Sequence, residues 1–130
     1  MQRKNISSGA PWESIVGYCR AVRVGNHVWV AGTTATDADG LVVGPGDAAA
    51  QTRYALEKIQ RALEEAGATL AHVVRTRMFV TDIAQWEAIG RTHGEFFATV
   101  RPAATMVEVS KLIDAEHLVE IEVDAFVHDA

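Results

Sequence analysis

Cysteine is almost absent from this 130-residue chain: Cys19 stands alone, which leaves no disulfide framework and no thiolate metal cluster. Basic runs are missing too. Twelve Lys and Arg stand against seventeen Asp and Glu, a net charge of −5. With no local Lys/Arg patch, the chain has nothing to attract nucleic acid phosphates. No stretch approaches the roughly 20 apolar residues that span a bilayer, and the opening residues Met1 to Ser7 have no apolar signal core. G-x-S-x-G elbows, P-loops and G-x-G-x-x-G turns are all lacking, so standard hydrolase and nucleotide-binding readings have no support. The histidines His27, His72, His93, His117 and His128 make no metalloprotease or zinc-finger spacing. These absences predict a soluble, cytoplasmic protein with no metal and no nucleic acid or membrane partner.

What is present is a globular composition, 48% hydrophobic and 22% charged, which excludes disorder, collagen and coiled coil. The length suits one domain over residues 1–130; a chain of this size buries roughly 70% of its unfolded surface, enough for a single core. Tyr18 to Val24 alternates as a strand and stops at Gly25-Asn26, a hairpin signal leading into His27–Ala31. Asp39-Gly40 is a second turn before a short apolar run, Leu41–Val43, read as a short strand. Thr52, Ala55, Leu56, Ile59, Leu63 and Ala66 then keep helical spacing, with Gln51, Arg53, Glu57, Lys58 and other polar residues on the opposite side. Asp47 and Gly67 suit its two caps.

Val73–Val80 reads as a strand. Asp82 starts a second helix with apolar face Trp86, Ile89, His93, Phe96 and Phe97; Gly90 and Gly94, four apart, suggest close packing of its backbone. Thr105–Val109 and Leu118–Val127 are strands, the latter placing Glu120, Glu122 and Asp124 on one side. Two helices cover only one face of a five- or six-stranded sheet, and a homo-oligomer is the simplest cover for the other. Taken alone, His93 is a hydrogen-bonded half-buried histidine, Cys19 a small core residue in a strand, and Glu120 with Glu122 either a solvated strand face or a site carboxylate.

Eight segments fall in an order that resembles the RidA/YjgF family, the reactive intermediate deaminases also known as L-PSP endoribonucleases. They are Gly17-Tyr18, Val30–Thr33, Ala50–Thr52, Val74–Asp82, Glu95–Phe97, Arg101–Ala103, Val107–Val109 and Val119–Glu122. The resemblance implies an α+β, chorismate-mutase-like mixed sheet with two helices on one face, assembled as a homotrimer with clefts between subunits. It implies cofactor-free hydrolysis of small enamines or imines to a keto acid and ammonia, in the manner of a 2-iminobutanoate/2-iminopropanoate deaminase. Position by position, it implies Tyr18 and Glu120 as catalytic residues, with Gly32, Thr33, Gly90, Ala104, Thr105 and Met106 against the substrate.

Ala104 departs from the pattern. The family's deaminases carry an arginine there, whose fork holds the substrate carboxylate. Gly90 likewise stands where the family has a pocket asparagine, and Met106 where it has a cysteine. Losing a bidentate charge pair costs several kcal/mol of binding, at least a hundredfold, unless another cation substitutes. Arg20, Arg77 and Arg101 are the candidates, although Arg101 is about 10 Å from position 104 along an extended chain. The readings left open are a hydrolase of an imine, enamine or related electrophile, and a non-catalytic trimeric small-molecule binder or sensor. The acidic chain argues against ribonuclease action.

Overall fold

The computed structural model describes residues 1–129. Six strands form one mixed sheet: β1 (Arg3–Ile6), β2 (Ala21–Val24), β3 (His27–Thr33), β4 (Val73–Val80), β5 (Ala103–Glu108) and β6 (Val119–Phe126). Their spatial order is β1-β2-β3-β6-β4-β5, antiparallel throughout except for the parallel pair β4–β5. Three helices accompany them, α1 (Pro11–Val16), α2 (Ala48–Glu65) and α3 (Trp86–Phe97). α2 links β3 to β4 and α3 links β4 to β5. Both pairs run parallel, so each link is a crossover, and the two crossovers lay their helices side by side on one face.

α2 forms where the helical spacing predicts it. The Asp47 carboxylate accepts from the Ala50 N–H at 3.0 Å, and Gly67, at φ 82°, takes the left-handed position just past the C-cap. Ala55, Leu56, Ile59 and Leu63 are fully buried against Val28, Val30, Ile121 and Val123 of the sheet. The alternation of β6 is complete: Val119, Ile121, Val123 and Ala125 face this core, and Glu120, Glu122 and Asp124 face away. No helix among the described residues is long and apolar enough to cross a membrane.

Several expectations are corrected. β1 and α1 carry no periodic signal and were not foreseen. The first hairpin strand starts at Ala21, so Tyr18 and Cys19 lie in the turn after α1 and not in a strand. Leu41–Val43 supplies one isolated bridge, Thr36 with Val42, and no strand. Trp86 is 57% exposed and does not belong to the buried face of α3. Nothing lies within 4 Å of where a Cβ would sit on Gly90 or Gly94, so these glycines do not mark close packing within the chain. Gln51 is not on the solvent side of α2; it is 0% exposed. Its side-chain amide serves the loop that returns to β6, donating to Glu116 O at 2.9 Å and Gly44 O at 3.2 Å, and accepting from Leu118 N at 2.8 Å.

The outer face of the sheet is uncovered. Trp29, Val107 and Phe126 remain partly exposed there, beside Arg77, which lies 3.5 Å from Glu122 and 3.2 Å from Asp124. Replacing Gln51 by Leu keeps the volume but strands three part-buried backbone groups. A loss of about 3 kcal/mol is expected, from about 1 kcal/mol per unsatisfied group. Urea unfolding of Gln51→Leu beside the unaltered chain, at one fixed protein concentration, checks it.

Candidate active site

Strand β3 slips register against β6. Val30 pairs with Val123 but Thr33 pairs with Ile121, so Ala31 and Gly32 together oppose Glu122. The extra residue is a β-bulge, a device that bends a strand and re-aims what lies on it. Glu120 lies over this bulge. A Cβ on Gly32 would sit 3.0 Å from Glu120 Cδ and closer still to one carboxylate oxygen. The carboxylate therefore rests on bare backbone, and only glycine leaves it that space. Among the described residues Glu120 has no ion-pair partner, whereas its strand neighbour Glu122 lies beside Arg77.

Arg20 holds the bulge from the other side. Its backbone N–H donates to Ile6 O at 2.8 Å and its carbonyl accepts from Ala31 N at 2.9 Å, extending the β1–β2–β3 ladder by one residue. Its Nη2 donates to Gly32 O at 2.6 Å. The guanidinium carbon lies 5.8 Å from the centre of the Tyr18 ring, within cation–π range. Among the described residues its buried Nε has no hydrogen-bond partner. Tyr18 itself is 40% exposed and lines a groove of about 420 Å³ with Arg3, Asn5, Glu13, Gly17, Cys19 and Val22.

Two further groups shape this corner. Lys58, from α2, donates to Thr34 O and Thr36 O, both at 2.9 Å. Burial first, then the Arg20 and Arg61 charges, push its ammonium down to about 8, with Asp37 opposing. His117 is buried, with Nε2 2.8 Å from Thr36 Oγ1. Glu13 is also buried; it accepts from Ser7 Oγ at 3.0 Å, from Ser8 N at 3.2 Å and from the Ser8 hydroxyl. Desolvation pushes the Glu13 carboxyl up, but the hydrogen bonds from Ser8 and Ser7 and the charge of Arg20 outweigh it and hold the group below its ordinary value.

The structure thus brings Tyr18, Gly32 and Glu120 into one cluster, joined through Arg20. Thr33 is adjacent but buried, its hydroxyl donating to Ala31 O at 2.8 Å. The remaining residues lie elsewhere in the chain. Ala104 and Met106 pair with Thr76 and Met78, on the helix side of the edge strand β5, and Gly90 sits on α3. Thr105 points the opposite way, beside Arg77. β5 is separated from β6 by β4, so one chain does not close a cleft around all eight. Near Ala104, His93 Nε2 is 2.9 Å from Thr76 Oγ1, and burial lowers the imidazole below its ordinary value. A second groove, of about 530 Å³, runs past Arg101 and His128 and contains none of Tyr18, Gly32 or Glu120. No three His, Cys, Asp or Glu side chains among the described residues gather to hold a metal. Lys58 and His117 went unassigned in the sequence, and Arg20 stood only as one of three candidate cations, because each works on a backbone carbonyl or hydroxyl distant in the chain.

The profile of the family described as Endoribonuclease L-PSP matches residues 8–127. The chain belongs to this family, which the solved structures call YjgF or Rid. A member of the YjgF/YER057c/UK114 family from Mycobacterium tuberculosis has 53% identity and a TM-score of 0.89, covering 97% of this chain and 100% of that one. An uncharacterized protein of Streptomyces coelicolor is 40% identical over 95% of this chain and 91% of its own. The 3-aminoacrylate deaminase RutC of Acinetobacter baylyi is 39% identical, over 89% of this chain and 90% of its own. The mixed sheet backed by helices is the fold of these Rid structures, as the resemblance implied.

Two outcomes follow for this site. Gly32→Ala meets only the flexible end of Glu120, so stability is expected to change by less than about 1 kcal/mol. The carboxylate is expected to swing off the bulge, and a crystal structure of the variant checks its position. Acid lowers stability in two stages. The folded value of His93 lies below the unfolded value of about 6.5, so the unfolded chain binds that proton first and stability drops as pH falls below about 6.5. The contribution of Glu13 is present above its ordinary value of about 4.5 and is lost as pH falls through its lower folded value. In urea midpoints measured from pH 8 to pH 3, His93→Gln is expected to flatten the upper limb and Glu13→Gln the lower.

Proposed function

We propose that this chain is a cofactor-free hydrolase of a small imine or enamine, working as a homotrimer whose clefts lie between subunits. One observation carries the reading: Glu120 lies over the bare backbone of Gly32 with no ion-pair partner among the described residues, and Arg20 links Gly32 to Tyr18, while the neighbouring acidic residue is engaged by an arginine. The relationship to a 3-aminoacrylate deaminase supports the same class of chemistry. The uncovered face with Trp29, Val107 and Phe126 favours association. So does the separation of the Gly90–Ala104–Met106 edge from the Tyr18–Glu120 cluster: the edge of one copy laid against the cluster of the next would complete a cleft.

In such a cleft the Glu120 carboxylate accepts a proton from water as the water oxygen adds to the C=N carbon. With the imine protonated at the start, this gives a neutral carbinolamine. The Glu120 carboxyl returns its proton to the nitrogen. As the C–N bond breaks and ammonia leaves, the hydroxyl proton passes back to the carboxylate, leaving a carbonyl product. An enamine enters by the same route after protonation on carbon. Tyr18 and the Gly32 segment orient the substrate. Ala104 and Gly90 favour a second reading, a trimeric small-molecule binder without turnover, because neither offers the side chain found there in the family's deaminases.

Ammonia release from imines generated in situ by an amino acid oxidase separates the two. The unaltered chain is expected to accelerate release, and to sediment at three times the chain mass. Glu120→Ala is expected to lose at least a hundredfold in rate, the usual scale for a general base. Silence in the unaltered chain, with activity appearing in Ala104→Arg, supports the binder instead.

A further inference from the structure

Sequence alone left three arginines able to replace the missing one, and the structure separates them. Arg77 lies beside both Glu122 and Asp124 on the outer face. Arg101 follows α3, its N–H on Phe97 O at 2.8 Å, and lines a groove that contains none of the eight candidate site residues. Arg20 alone stands in the cluster, with one nitrogen on Gly32 O and its charge near the Tyr18 ring.

We propose that Arg20 is the anion-binding residue of this site, holding the carboxylate of a small 2-oxo or 2-imino acid from the side of Gly32, in place of the family position occupied here by Ala104. The inference rests on the site reading given above, and adds the residue that holds the anion.

Two independent observations support it. The first is unspent donor capacity. A guanidinium has five N–H groups in a rigid fork. Among the described residues only Gly32 O accepts from the Arg20 guanidinium, and its buried Nε has no partner. A buried donor left unpaired is costly, and an anion at the fork removes that cost. The second is charge. Arg20 donates to Gly32 O and Lys58 to Thr34 O and Thr36 O, so two cations sit on the Gly32–Thr36 segment, and Lys58 feels the charges of Arg20 and Arg61 against Asp37 alone. Glu13, which also feels Arg20, is already committed to Ser7 and Ser8. The corner is an excess of cations beside a site whose own carboxylate has no partner. An incoming carboxylate balances it, and a guanidinium fork orients it so that the adjacent C=N or C=O carbon faces Glu120.

The test is binding, kept separate from turnover. 2-Oxobutanoate and its uncharged counterpart 2-butanone are titrated by NMR into the unaltered chain, Arg20→Met and Arg20→Lys. Arg20→Met is expected to weaken 2-oxobutanoate at least tenfold while leaving 2-butanone within twofold. Arg20→Lys, which keeps the charge and loses the fork, is expected to fall between. Adding Ala104→Arg to Arg20→Met is expected to restore preference for the anion. Arg20→Met binding the anion as tightly as the unaltered chain overturns the proposal. So does equal weakening of both ligands, the mark of a residue that only braces the bulge, or an unaltered chain that does not prefer the anion. If Arg20→Met does not fold, Arg20→Lys decides by the same comparison. Absence of ammonia release alongside the expected binding pattern counts against the hydrolase and leaves the anchor standing; turnover with no effect at Arg20 does the reverse.

Discussion

A carboxylate laid on a peptide plane is the contact on which this molecule's site depends. Glu120 reaches that position because three conditions are met together. Position 32 has no side chain, the strand carrying it holds one residue more than its partner, and the displaced carbonyl of Gly32 is held by Arg20. Remove the extra residue and strand pairing carries the carbonyl back into the ladder. Remove the guanidinium and the bulge loses its brace from the β1–β2 side. The segment that follows, Thr34 to Thr36, is then secured by Lys58 from α2 and by His117 from the loop before β6. A strand irregularity that costs ladder hydrogen bonds is thus repaid by side chains from three other parts of the fold.

The same corner concentrates positive charge in a chain whose net charge is −5. The balance of the whole protein and the balance at its site therefore have opposite signs. Net charge governs encounter with large polyanions, and here it discourages them. Local charge governs which small anion settles in a cleft, and there Arg20 and Lys58 act at short range. A small acidic molecule is compatible with both.

Legibility followed the range of the interactions. α2 was readable because eighteen residues give a period room to repeat, and β6 because its alternation is unbroken. α1 was unreadable: six residues make fewer than two turns, and its buried side chain is Glu13, which looks solvent-facing until Ser7 and Ser8 enclose it. Gln51 and Lys58 share that difficulty, since polar residues on a helix are assigned to water unless a distant loop is known to claim them. Gly90 and Gly94 misled for a different reason. Small residues in a helix permit close approach, but nothing in the described chain comes within 4 Å of a Cβ at either position. In the site, Tyr18, Gly32 and Glu120 were found through family resemblance, and their convergence is a property of the sheet order. The bulge could not be read from the sequence, because a one-residue slip is set by the partner strand as much as by its own. Arg20 could be read only as one of three cations.

The three tryptophans, Trp12 on α1, Trp29 on the outer face of the sheet and Trp86 at the start of α3, are all water-exposed in the single chain. Indole emission shifts to shorter wavelength when water around the ring is replaced by protein. The chain therefore carries its own optical gauge, whose colour reports whether those surfaces meet water or another molecule. Since each ring keeps roughly half of its surface in water in the isolated folded chain, a strongly blue emission would report association more than folding.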